Sequence, residues 1–572
     1  MITDRPLPPS VWYLCIMSEL RAEVAVYDYI IVGAGSAGCV LAARLTENPD
    51  TRVLLLEAGP PDDADEIHIP AAQNLLFQST YDWNYQTVPQ ERAAGRSIYW
   101  PRGRTLGGSS SLSAMIYIRG SRYDYDTWRD EYGCEGWGYT DLLPYFLRAE
   151  ANSRGASAFH GASGPLSVQD QRHKSPLAAA FVDAARQSGL DANDDFNGSR
   201  QDGVGFYQVT QRGGRRWSAA DAYLHPASGR PNLTVHTDAL VTGLAMAGGR
   251  AAGVHYLRRG VAETARTEGE VILAAGAVGS PQLLMLSGIG PADELHAHDI
   301  AVLVDSPGVG ANLSDHPVVT AMWRTPKSRG LWEQAGPRNL ARWQLRHSGP
   351  LTMTVAESGG FSRSDPGLPA PDIQWQALPA PYLDGGLTDP AIRALSLLVG
   401  LVAVGSRGRI RLHSADPRHK SLIDPAYLSD AADIEPLVTG IRMAREFATA
   451  RPMSKICADE IAPGDGVRTE AEIRDFIRHN LTTGCHPAGT CAMGGDSKVA
   501  ASRLTSVVDP ELRVRGIDGL RVVDASVMPA VPRGDTSAPV IAIAERAADL
   551  ICGRAPLAAV EPADLDLAAP AR

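Results

Sequence analysis

Cysteine is scarce in this chain, with seven residues among 572 and no C-x-x-C pair. That argues against a disulfide framework and a thiolate zinc site, and it points to a reduced, cytoplasmic setting. Cys485 and Cys491 flank His486, but no further ligand stands close, so no metal is expected. Long apolar runs are missing too: residues 397–404 are typical of the longest and fall well short of a membrane span. Basic charge is in deficit. A formal net charge of −11 disfavours nucleic acid and anionic membrane surfaces as partners. The apolar residues 11–17 lack a basic flank, since Asp4 and Arg5 cancel, and no small-residue cleavage site follows them, so a secretion signal is not expected. Residues 1–25 therefore read as a poorly ordered N-terminal extension, with Met17 an alternative start. No internal repeat is visible.

Against these absences stands an ordinary globular composition, 44% hydrophobic and 21% charged. The length calls for two or three domains. An apolar strand, Tyr29-Ile30-Ile31-Val32, runs into Gly33-Ala34-Gly35-Ser36-Ala37-Gly38 and then an apolar helix pattern. A second strand, Val53-Leu54-Leu55-Leu56, ends on Glu57 and Ala58. This is a dinucleotide-binding unit in its proper context. Gly33 allows the tight turn, Gly35 lets the backbone approach a pyrophosphate, and Gly38 lets helix pack on strand. Ser36 and Ala37 open the helix and offer N–H groups to the phosphates. Glu57 can accept from ribose hydroxyls and would repel a 2′-phosphate, which favours FAD or NAD over NADP.

Further strands are expected at residues 271–273 and 520–523, joining 28–32 and 53–56 in one parallel sheet assembled from distant segments. Helices are expected at 175–188, 433–449, 469–480 and 539–551, and one opening at Ser280-Pro281, because proline suits a first turn. Residues 317–427 mix Pro-rich loops with alternating strands such as Arg409-Ile410-Arg411-Leu412, which reads as a separate antiparallel sheet. The fold class is thus α/β plus α+β. It has a discontinuous Rossmann-type nucleotide-binding domain (26–316 and 481–555, with insertions near 65–100 and 120–225), an antiparallel substrate domain (317–480) and a flexible tail (556–572). The segment 105–116 is rich in small residues. Its paired Gly107 and Gly108, with small hydroxyl residues such as Ser109 and Ser113, let the backbone approach a flat ligand that Leu106, Ala114, Met115 and Ile116 would flank, with a plain surface turn as the open alternative.

Several motifs then fall in order: Gly103 to Ser111, Gly276 to Gly290, His486-Pro487-Ala488-Gly489-Thr490, and Asp524-Ala525-Ser526 followed by Gly534-Asp535-Thr536-Ser537. With Asp82-Trp83-Asn84-Tyr85, Tyr117-Ile118-Arg119-Gly120, residues 355–361 and residues 423–428, they resemble the glucose–methanol–choline (GMC) oxidoreductase family. Its bacterial choline-dehydrogenase-like and pyridoxine-oxidase-like branch is the nearest, and the likeness runs from about Tyr27 to Cys552. The resemblance implies FAD and the oxidation of an alcohol CH–OH group to an aldehyde or ketone. It makes His486 the catalytic base; read alone, that histidine better suits a cap on the helix ending at Asn480. The second active-site position, usually His or Asn, is assigned to Ser537. The resemblance also implies that Val241 approaches the adenine, and that Gly276, Asp524 and Ala525 meet the cofactor. Leu112 stands where some relatives carry the histidine that attaches FAD, so FAD is expected to be non-covalent. Trp83, Glu357 and Phe361 are candidates for the substrate side, with core packing or a structural ion pair as the open alternative. Oxygen or a quinone-type acceptor would take the electrons. A non-redox lyase of the hydroxynitrile type and a photodecarboxylase are the alternative activities on this scaffold.

Overall fold

The computed structural model describes residues 26–328, 330–331, 334–388, 392–496, 505–561 and 565; the extension 1–25 lies outside them. Two large sheets organise the described residues. The first runs Leu233–His236, Val53–Leu56, Val26–Val32, Val261–Leu273, Arg250–Arg258, Ala239–Ala247 in space. The first four strands are mutually parallel. Val53–Leu56 is buried at every residue, as a strand covered on both faces must be.

The strand Val261–Leu273 changes partner along one edge. Residues 261–266 pair antiparallel with Arg250–Arg258, and residues 271–273 pair parallel with Leu520–Val522. A chain end some 250 residues away thereby re-enters the nucleotide-binding sheet and brings Asp524 to its C-terminal edge. The closing helix Ser537–Ile551 packs on the first helix, Ser36–Leu45. Arg44 grips the buried Glu545 through Nε and Nη2 at 3.0 and 2.9 Å, and Tyr223 donates to the same carboxylate at 2.8 Å.

The second sheet is antiparallel, in the order Glu460–Ala462, Pro317–Arg324, Ala394–Leu401, Ile373–Leu378, Ser358–Ser362, Gly203–Phe206. Thr482–Thr483 pairs with the start of Pro317–Arg324. Arg409–Arg411 is not part of this sheet; it forms a two-stranded ladder with Leu422–Asp424. The helix around Pro281 also differs from expectation. It spans Gly276–Leu286, with Pro281 inside it. Proline there leaves the Ala277 carbonyl without its i+4 donor, and the Thr490 hydroxyl donates to that carbonyl at 2.7 Å. In the C-terminal stretch expected to be flexible, Leu557 N donates to Tyr145 Oη at 3.0 Å and Val560 N to Thr140 O at 3.1 Å. Residues 562–564 and 566–572 lie outside the described residues.

Candidate active site

One cavity of about 380 Å³ extends from the Gly33–Ala37 turn to His486, between the two sheets. Its nucleotide end is shaped by backbone. Gly33 has φ +98°, a left-handed conformation that favours glycine, and an added Cβ would lie 2.6 Å from Ala274 O. A Cβ on Gly38 would sit 1.9 Å from the carbonyl oxygen of Gly33. Both glycines are therefore demanded by the fold. Gly35 and Gly276 differ: beyond its chain neighbours, an added Cβ would meet no atom of the described residues within 4 Å, so both present bare backbone to open space. That is a cradle of the kind a pyrophosphate requires. The segment 105–116 is no surface turn. Gly108–Ser111 forms a mostly buried 3₁₀ turn, and a Cβ on Gly108 would lie 2.6 Å from Gly35 Cα.

Glu57 lines the cavity and is buried. Ala34 N and Gly59 N donate to its two carboxylate oxygens at 2.9 and 2.8 Å. Burial pushes its carboxyl up to about 7 against those bonds and the Arg104 charge. Asp524 accepts from Gly276 N at 2.9 Å and from Ser280 Oγ at 2.6 Å, and so pins the second loop of the cradle to the Leu520–Val522 strand end. Gly33, Gly35, Ser36, Ala37, Ala58, Gly108, Ser109, Ser113, Ala114, Met115, Ile116, Val241, Gly276 and Ala525 also line the cavity. Gly38, Leu106 and Gly107 stand behind its wall, where Gly107 N donates to Ala34 O at 2.8 Å.

The other end is made of side chains. His486 follows the short strand Thr482–Thr483 and lines the cavity with 12% of its side chain exposed. Its Nδ1 lies 3.0 Å from Nδ1 of His316, and its Nε2 lies 2.9 Å from Oδ1 of Asp535. It does not cap the preceding helix. Asp315 holds the turn: Oδ1 accepts from His486 N at 2.7 Å, and Oδ2 accepts from Thr483 Oγ1 at 2.5 Å and from Tyr427 Oη. Burial, with His486 and Arg533 adding to it, holds His316 well below the usual imidazole range, so it is neutral. A Cβ on Gly484 would press on His316 O at 3.0 Å and His486 Nδ1 at 3.3 Å, so this glycine makes room for the pair of rings. Met115 and Cys485 both take left-handed φ, +62° and +64°, without being glycine. Held backbone of that kind concentrates at functional sites.

Ser537 opens the closing helix and lines the cavity, but the group against His486 Nε2 is Asp535. Trp83 lines the cavity and stacks on Tyr85 with ring centroids 5.8 Å apart. Two substrate candidates lie elsewhere. Glu357 is fully buried, and its carboxylate accepts from Ser175 N at 3.0 Å, at the start of helix Pro176–Gln187. Phe361 is fully buried against Phe196. Their neighbours Val355 and Ala356 reach the cavity instead. Asp315 and His316 were missed because they stand about 170 residues before His486. The only trace in the sequence is the Asp-His pair just ahead of Pro317.

A glycine cradle of the dinucleotide-binding kind and an imidazole border one cavity, an arrangement that suits a nucleotide-cofactor oxidoreductase. Comparison with known proteins identifies the family. The GMC oxidoreductase models match residues 27–318 and 404–544, and the chain belongs to that family. It is 45% identical to an alcohol dehydrogenase [acceptor] of Pseudomonas putida, over 94% of this chain and 97% of that one. It is 42% identical to the mitochondrial choline dehydrogenase of Mus musculus, over 96% and 93%. Among solved structures, pyridoxine 4-oxidase from Mesorbium loti superposes with a TM-score of 0.83 at 36% identity, covering 92% of this chain and all of that one. The protein is an FAD-dependent oxidoreductase acting on CH–OH donors, as the sequence predicts.

Proposed function

We propose that this enzyme oxidises a small-molecule alcohol with non-covalently held FAD, and that His486 belongs to the base that takes the hydroxyl proton. The observation that carries this reading is the shared cavity: His486 and the bare backbone of Gly35 and Gly276 open onto the same space. FAD would be held by the Gly33–Ala37 turn at the pyrophosphate, Glu57 at a ribose, Val241 at the adenine, Asp524 and Ala525 at the pyrophosphate and ribityl chain, and Gly108, Ser109 and residues 113–116 along the flavin. The bound flavin supplies the acceptor for hydride. The protein orients the alcohol against it and removes the proton, a task suited to an imidazole. Asp315 fixes the turn that aims the ring. The Ser537 hydroxyl is available to donate to the substrate oxygen, and Trp83 walls the substrate side. Leu112, buried in the cavity wall, offers no atom for covalent attachment to FAD.

The acceptor read here is a quinone-type carrier rather than oxygen. Support comes from the Pseudomonas relative named for an acceptor, and from the absence of a side chain at Gly484 that would shape an apolar oxygen pocket. A cytoplasmic setting rests on cysteine usage, and among the described residues no helix is long and apolar enough to cross a membrane. The domain division is read as 26–316 with 481–555 around the cofactor and 317–480 over the substrate. The test is an anaerobic screen of alcohols for bleaching of the bound flavin, followed by mixing with air or with a soluble quinone. Bleaching by an alcohol with slow recovery in air and fast recovery with quinone is expected. A flavin inert to every alcohol overturns the reading.

A further inference from the structure

The three titratable groups at the proton end come from distant segments: His316 ahead of strand Pro317–Arg324, His486 after Thr482–Thr483, and Asp535 ahead of the closing helix. Their hydrogen bonds form a chain, and burial orients its protons. His316 is 1% exposed, and among the described residues its Nε2 has no hydrogen-bond partner. A buried N–H without an acceptor is rarer and costlier than a bare lone pair. The proton of neutral His316 therefore sits on Nδ1 and points at His486 Nδ1, 3.0 Å away. His486 Nδ1 is then an acceptor. Neutral His486 carries its own proton on Nε2, directed at Asp535 Oδ1, 2.9 Å away. In that arrangement His486 has no free lone pair. The acceptor left at the cavity is the Asp535 carboxylate, whose Oδ2 is buried and has no hydrogen-bond partner among the described residues.

From this geometry we infer that the base of the reaction is the His486–Asp535 pair and that Asp535 is a further catalytic residue, the final holder of the substrate proton. This rests on the alcohol-oxidation reading above. The hydroxyl O–H bond breaks as an O–H bond forms on Asp535. The proton moves either directly or in sequence, the Nε2 proton passing first to Oδ1 and the vacated Nε2 lone pair then taking the hydroxyl proton. The C–H electron pair leaves as hydride to the oxidised cofactor, so one proton and one hydride are accounted for. The other charged groups at the site are committed. Asp315 is taken by His486 N, Thr483 and Tyr427, and Arg533 by Asp124. Of the family motif, Ser537 keeps the smaller role of substrate hydrogen bonding. Asp535 supplies a carboxylate, two residues earlier than the position the sequence reading chose.

The experiment compares anaerobic flavin reduction in the FAD-loaded parent, Asp535→Asn, Asp535→Ala, His486→Ala and the His486→Ala/Asp535→Asn double variant, each with its FAD content measured. Asp535→Asn keeps the shape and removes the proton acceptor, so a loss of about 10²-fold or more is expected, within the usual range for general acid–base groups. The double variant should be no slower than the slower single one, because groups that act as a unit do not add. Added acetate should restore part of the rate to Asp535→Ala and none to Asp535→Asn. Reduction of Asp535→Asn at the parental rate, or no acetate rescue of an Asp535→Ala protein with full FAD, overturns the inference. An independent readout needs no substrate. A far-downfield imidazole proton resonance should appear in the parent and vanish in both His486→Ala and Asp535→Asn. A parent flavin inert to all alcohols would sink the alcohol reading, and this resonance would still decide whether the proton is shared. Its absence in the parent overturns the inference.

Discussion

The two ends of the active-site cavity are built on opposite plans. The nucleotide end is shaped by missing side chains: Gly33 and Gly38 allow the turn and the helix contact, and Gly35 and Gly276 leave backbone bare to a ligand. The proton end is shaped by side chains, with His316, His486 and Asp535 in a row and Asp315 beneath them. The first plan is local, because a turn of six residues contains most of it. The second is global, because its parts are brought together only when Pro317–Arg324 pairs with Thr482–Thr483 and the closing helix returns to the sheet. Local parts fail through sterics, which are all-or-none. Global parts fail through proton placement, which grades with the chemistry of each replacement.

The largest effect should come from breaking the local plan. A Cβ on Gly38 meets a backbone carbonyl at 1.9 Å, a group with no room to retreat. Gly38→Val should give a colourless protein, with no FAD by absorbance after purification. Glu57→Arg comes next. It loses an acceptor and places a cation where Ala34 N and Gly59 N already point. FAD affinity, read by titrating apoprotein, should fall by roughly tenfold or more, since charge-assisted hydrogen bonds contribute about 1.5–3 kcal/mol; unchanged affinity would remove Glu57 from the ribose. The same residue sharpens the comparison through pH. Its carboxyl in the folded chain sits near 7, above the ordinary range, so the fold favours its protonated form. The stability it contributes is present below the ordinary carboxylate range and is lost as pH rises through about 7. Ribose hydroxyls favour the ionised form. FAD binding should therefore strengthen between roughly pH 6 and 8, and Glu57→Gln should flatten that dependence.

The smallest effect should come from Glu357, which belongs to neither end. Its carboxyl is also pushed up to about 7 by burial, so its ionisation opposes the fold as pH rises through that value. Glu357→Gln keeps an acceptor for Ser175 N and removes the charge. Flavin reduction should be unchanged, and Tm should match the parent below pH 6 and exceed it above pH 8. A drop in alcohol turnover with normal FAD content would return Glu357 to the substrate side.

The same contrast explains what was legible in the sequence. Gly33, Gly35, Gly38 and Glu57 were readable because strand, turn and helix follow one another without interruption. The strands at 271–273 and 520–523 were legible from their apolar runs, and the parallel sheet they complete is present as expected. Pro281 misled, because proline in a helix interior is tolerated when another donor serves the orphaned carbonyl, and Thr490 lies 213 residues away. Glu357 and Phe361 misled because the residues that reach the cavity are Val355 and Ala356, and the sequence alone does not say where in that segment the chain leaves the wall. His486 was found through its motif, but its two ring partners were not, since nothing local in the chain ties residue 316 or 535 to residue 486. Ser537 was chosen by position in a motif, whereas the structure puts Asp535 within hydrogen-bond distance of the ring.

The central claim is that His486 stands in the proton path of a flavin-reducing alcohol oxidation. The most direct measurement is anaerobic stopped-flow of the FAD-loaded parent and His486→Ala, mixed with an alcohol that bleaches the parent flavin. Loss of a general base slows such a step by about 10²–10⁴-fold, and that loss is predicted here with FAD content unchanged. A His486→Ala flavin that bleaches at the parental rate would contradict the account.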